Sequence, residues 1–176
     1  MYGSVVASRV CREIEDDKAA LAICLRACKL SSEAELALNQ KDYDAVITIG
    51  GEAMHLFVQI PEAACLLGMC MGNIAAALAS LGKWEKSLSA AQECLPLVKN
   101  EPLLWYTTAA ALQTIGSCEF LLGRQNWRSY YEASRSILKS KPDDPRSSFL
   151  LGSLDRNENT FARGRTGKRW WEFWRS

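Results

Sequence analysis

Seven cysteines and one histidine are the residues of this 176-residue chain with the most evident capacity for chemistry. A thiolate beside an imidazole makes a nucleophile, and such side chains at fixed spacing hold zinc. The cysteines are Cys11, Cys24, Cys28, Cys65, Cys70, Cys94 and Cys118. The pairs Cys24/Cys28 and Cys65/Cys70 lack the two-residue gap of a zinc knuckle, and His55 alone gives a Cys/His cluster little to draw on. Burial as small apolar side chains is the role they fit, and no metal is expected. Gly164-Arg165-Thr166-Gly167-Lys168 shares glycines and a lysine with a phosphate loop, without its spacing or its preceding strand. There is no nucleophile elbow and no helical zinc motif. The chain is expected not to be an enzyme and to need no cofactor.

The other chemically distinctive segment is Lys168–Ser176. Read as a helix, it gathers Trp170, Trp171, Phe173 and Trp174 on a face roughly 160° wide, with Arg169 and Arg175 opposite. Tryptophan and arginine together suit interfaces, between proteins or at lipid headgroups. Three uses compete: the segment caps the last helices, inserts into another protein, or lies on an anionic membrane. Stacking on single-stranded nucleic acid is the weakest reading.

Composition narrows the rest. Hydrophobic residues make up 48%, enough for a sizeable core and too many for a disordered chain. Net charge is +1, so the chain as a whole is not a polyanion binder. Residues 163–176 hold five basic residues against Glu172 alone, a local +4, which leaves −3 on the first 162. No apolar run is expected to be long enough to cross a bilayer. Met1–Arg12 carries Arg9 and Arg12 with no acid, a faint likeness to an organelle transit peptide, but Glu13, Glu15, Asp16 and Asp17 follow at once. The odd cysteine count favours the cytoplasm or another reducing compartment.

These residues must be positioned by helices, because the periodicity reads as helix almost throughout. Val5–Leu30 is expected as a leading cap of one long or two short helices. Ser32 with Glu35 suggests a new helix start, Glu33–Gln40, followed by Asp42–Phe57. Gly50-Gly51 weakens that second helix by roughly 1 kcal/mol per glycine, which close packing of a neighbour would explain. Further helices are predicted at Pro61–Leu81, Lys83–Lys99, Glu101–Leu122, Trp127–Lys141 and Asp144–Leu154, with Pro96 kinking or shortening the last turn of Lys83–Lys99. The expected domains are a cap over 1–30, a repeat domain over 31–154, a linker over 155–168 and the aromatic, basic segment 169–176.

A repeat runs through these helices. Ala34, Ala75 and Gly116 are 41 residues apart; so are Lys41, Gly82 and Gly123. Tyr43 and Trp84 repeat the step, as do Ala53 and Cys94. A fixed period of this size signals stacked helical units, none of which buries its apolar face alone. With Trp127 displaced by Gln125-Asn126 and Pro142 at the end of the third unit, residues 32–142 resemble the tetratricopeptide repeat. That family's unit is about 34 residues, so a longer period implies its extended-helix variant. The resemblance implies an all-α, right-handed superhelix of about three antiparallel hairpins, with an N-terminal capping helix and a C-terminal tail.

In such arrays the first helix of each pair lines the concave side, where ligands lie. The register puts Ser31 and Glu35 there, then Met69, Gly72, Asn73, Ala76 and Ser80. Tyr106, Gln113, Ser117 and Phe120 follow from the third unit. This largely neutral, small-residue surface suits an amphipathic helix or an apolar peptide. The family's basic clamp for acidic chaperone tails is missing: its positions hold Ser31, Glu35, Gly72, Ala76, Leu112 and Gly116. The same small residues would equally serve plain helix packing. The expected function is a non-catalytic adaptor or assembly factor whose groove holds a protein or peptide partner and whose tail docks a second. The alternatives are a peripheral membrane protein anchored by the tail and a small-molecule or peptide sensor. Oligomeric state is open.

Overall fold

The structure is a computed structural model that describes residues 2–164. Among these are eight α-helices and no strand: α1 Tyr2–Glu13, α2 Lys18–Asn39, α3 Tyr43–Phe57, α4 Ala64–Ser80, α5 Trp84–Val98, α6 Trp105–Leu121, α7 Trp127–Lys139 and α8 Pro145–Gly164. Short 3₁₀ turns, Pro61–Ala63 and Pro102–Leu104, lead into α4 and α6. Proline suits both starts, since its missing N–H would be unpaired there.

The 41-residue step is written into the backbone. Lys41, Gly82 and Gly123 take left-handed φ of 62°, 73° and 75°. At each turn the same pair of hydrogen bonds closes the preceding helix. The N–H groups of Asp42, Lys83 and Arg124 donate to Ala37, Leu78 and Glu119 carbonyls at 2.9, 2.9 and 2.8 Å. Those of Lys41, Gly82 and Gly123 donate to Leu38, Ala79 and Phe120 carbonyls, each at 3.0 Å. This is a Schellman ending made three times, satisfying carbonyls that a helix terminus leaves free. The next helix starts from a matching signal: Asp42 caps α3 through Ala45 N–H, and Trp84 sits against Gly82.

From α2 to α8 each helix packs on the next, and α2/α4, α4/α6 and α6/α8 also touch. Small residues set the approach. A Cβ on Gly68 would stand 2.7 Å from Val98 Cγ1, and one on Gly116 would stand 2.5 Å from the Tyr131 ring. Gly50 meets Ile74 at 3.0 Å, the close neighbour expected there, whereas Gly51 faces open space. Buried serine hydroxyls tie helices together: Ser87 donates to Ala75 carbonyl at 2.7 Å and Ser134 to Ala109 carbonyl at 2.8 Å.

Four expectations need correction. Ser31 and Ser32 do not begin a helix; α2 runs through them, so the boundary at residue 30 falls inside one element. Asp17 supplies the cap by accepting from Ala19 and Ala20 N–H, and Ser32 returns its hydroxyl to Cys28 carbonyl. No glycine or proline lies between Lys18 and Asn39 to interrupt the helix. Second, the cap expected over 1–30 is narrower: α1 alone packs across α2, α4 and both 3₁₀ turns, and the rest of that span belongs to α2. Third, residues 155–164 are helix, not linker, because Leu150, Leu154 and Phe161 continue one buried stripe along α8. Fourth, Pro61–Ser80 is long and apolar enough to span a membrane, with mean hydropathy 1.7 over its best window. Half of that window is buried within the molecule, against α2, α3, α5 and α6.

Candidate functional site

Helices α2, α4, α6 and α8 line a groove of about 400 Å³. From α4 it takes Met69, Gly72, Asn73, Ala76 and Ser80, and from α6 Tyr106, Gln113, Thr114 and Ser117. Glu35 of α2 borders it. Nine of the eleven expected groove residues therefore come together: Glu35, Met69, Gly72, Asn73, Ala76, Ser80, Tyr106, Gln113 and Ser117. Phe120 does not. Its ring stacks on Phe161 at 3.7 Å and meets Trp127 edge-on at 5.4 Å, so it joins the core between α6, α7 and α8.

Polar groups in the groove are few and differently committed. Ser117 shares a 2.8 Å hydrogen bond with the Tyr131 hydroxyl behind it. Burial pushes that phenol up to about 12, so Tyr131 stays neutral and structural. Ser80 and Thr114 return their hydroxyls to Ala76 and Ala110 carbonyls. Gln113 differs. Its Nε2 donates to Ser153 Oγ at 2.8 Å, while its Oε1 is buried and accepts no hydrogen bond. A buried acceptor without a donor carries an unrecovered desolvation cost.

A second cavity of about 440 Å³ adjoins the first and shares Glu35, Met69, Tyr106 and Thr107 with it. Its far wall is α1, through Gly3, Ser4 and Ala7. Ser31, an expected groove residue, lines this side, where α1 closes the space off. The seat of α1 is apolar, with Val6, Val10 and Ile14 buried at successive turns. At its rim Arg9 donates to Glu101 at 2.5 Å, and this partner holds the Glu101 carboxyl below its usual range. On the other side Arg146 pairs with Asp144 and lies over the rings of Trp105 and Tyr106, joining α8 to α6.

Cys24, Cys70, Cys94 and Cys118 are buried, and desolvation raises all four thiols, Cys70 to about 11 and Cys94 to about 12. Cys70 donates to Gly50 carbonyl and Cys118 to Ser87 Oγ. Such thiols are poor nucleophiles. His55 is exposed on α3, in a shallow groove with Arg26 and Leu30. Among the described residues no group of three or more His, Cys, Asp or Glu side chains is placed to hold a metal ion. The expected tail residues Arg169, Trp170, Trp171, Phe173, Trp174 and Arg175, and the Gly164–Lys168 motif beyond its first glycine, lie outside the described residues.

Two parts of the site escaped the sequence reading. Leu150, Ser153 and Asn157 of α8 complete the groove, and α1 walls its end. The stripe Leu150, Leu154, Phe161 was a findable signal for the first. Val6, Val10, Ile14 at four-residue steps was one for the second. Comparison with protein-family models, curated proteins and solved structures gave no match for this chain.

Proposed function

We propose that the chain is a non-catalytic adaptor or assembly factor that holds an apolar or helical peptide in the groove between α2, α4, α6 and α8. The helices α2/α3, α4/α5 and α6/α7 are read as three tetratricopeptide-like hairpins of a right-handed superhelix, and the groove as its concave face. The thrice-made turn, 41 residues apart, supports this reading. The observation that carries the function is the lining itself. Gly72, Ala76 and Ala110 leave room for a partner backbone, and Met69 adapts to its side chains. Glu35 at the rim disfavours an acidic ligand.

The test is site-specific photocrosslinking. A photoreactive residue at Asn73 or Thr114 should capture the same apolar segment of a partner, and one at exposed Ser136 on α7 should not. Equal capture from all three places would remove the groove from the account. The tail is assigned to a second partner, and a pull-down with and without residues 163–176 should differ by that partner alone. Its sequence also favours a second reading, a peripheral membrane anchor. Binding to anionic liposomes that requires the tail and fades with salt would select that reading.

A further inference from the structure

The 41-residue register identifies a face of α2 that has the position of an internal interface and no cover. On α4 the stripe Leu66, Cys70, Ile74, Ala77 receives the preceding helix: Cys70 bonds to Gly50 carbonyl, Gly50 lies against Ile74, and Ala77 clusters with Val46. One period later Ala111, Ile115 and Cys118 are buried too, Ile115 and Cys118 against α5. One period earlier the same positions are Leu25, Lys29, Glu33 and Leu36. Leu25 is 56% exposed and Leu36 58% exposed. Helix α1 touches α2, α4 and both 3₁₀ turns, yet leaves Leu25 and Leu36 bare.

The exposed face has a pattern of its own. Ala22, Leu25, Lys29, Ser32, Leu36 and Asn39 follow alternating steps of three and four, the seam of a two-helix coiled coil, and all six are exposed. Turned end over end about a point between Leu30 and Ser31, the seam maps onto itself. Leu25 meets Leu36 of the second copy, and Lys29 meets Ser32. On the flank, Arg26 of one copy comes opposite Glu33 of the other, and the reverse pair forms by symmetry. A surface complementary to itself in both shape and charge is what a two-fold interface requires.

We propose that two copies of this chain associate through antiparallel α2 helices about that axis. One helix pair falls short of the roughly 1,200 Å² that stable interfaces bury, so the dimer is of the weak, concentration-dependent class. Sedimentation equilibrium of the full chain tests it. The wild type should rise from monomer toward dimer mass with concentration. Arg26→Glu alone and Glu33→Arg alone should each weaken association about tenfold or more. Mixed in equal amounts, the two variants should recover it, since each then meets an opposite charge. Leu25→Glu with Leu36→Glu should abolish it, with circular dichroism confirming that these exposed changes leave the helices folded. A wild type that stays monomeric at several hundred micromolar would overturn the proposal. So would association indifferent to the leucine pair, or a mixture that fails to recover.

Discussion

Lys41 carries a conformation that the other two turns assign to glycine. Its φ of 62° places a side chain where L-residues are disfavoured by about 1–2 kcal/mol. Lys41→Gly should therefore raise unfolding free energy by about 1 kcal/mol, read from the urea midpoint at unchanged slope. No change would mean that the turn relaxes. The helical glycines predict opposite signs by the same logic. Gly51 has nothing within 4 Å, so Gly51→Ala should stabilise by about 0.5–1 kcal/mol through helix propensity. Gly116 lies against the fully buried Tyr131 ring and Trp127 carbonyl, so Gly116→Ala should cost about 1–3 kcal/mol despite the same propensity gain. Sequence alone does not separate the signs at Gly51 and Gly116; the neighbours do. At the groove, Gln113→Met should leave native stability within about 1 kcal/mol, since losing the bond to Ser153 is offset by removing a buried acceptor that is unpaired already.

Helix α1 depends on one ion pair and one apolar stripe. Arg9 lowers the Glu101 carboxyl, so the pair's contribution is fully present above the ordinary glutamate range, near pH 4.3. It is lost as pH falls through the depressed folded-state value. Hydrogen exchange of the α1 amides should accelerate in that acid window before the rest of the molecule responds, and Glu101→Gln should flatten the dependence. Uniform protection down to global unfolding would show that Val6, Val10 and Ile14 hold the helix without the pair. The elements were legible where punctuation was strong: Pro61, Gly82, Pro102, Gly123 and Pro145 each mark a boundary within a few residues. They were misread where a polar residue resembled a stop. Ser32 reads as a cap because a serine hydroxyl can serve either end of a turn, and the helix that contains it is already capped at Asp17. The polar run after Leu154 hides a helix whose next buried side chain, Phe161, comes two turns on.

At the scale of the molecule, the 41-residue period gave the all-helical build and the order of contacts before any geometry. It also placed most of the groove, because alternate helices share a face whenever successive ones pack in sequence. What it could not place was Phe120, which sits one turn past Ser117 and two past Gln113 on the same helix. Its ring turns aside to Phe161 of a helix expected to have ended. The account's central claim is that this groove, neutral and small-sided, is built to hold an apolar helical segment. Selecting a displayed library of helical peptides against the wild type and against Ala76→Trp tests that claim most directly, because the indole fills the groove from a half-buried position on α4. The expected result is enrichment of amphipathic, non-acidic helices by the wild type and loss of those binders, tenfold or more, in the equally stable variant. Enrichment of acidic sequences, or binders that the indole leaves untouched, would contradict it.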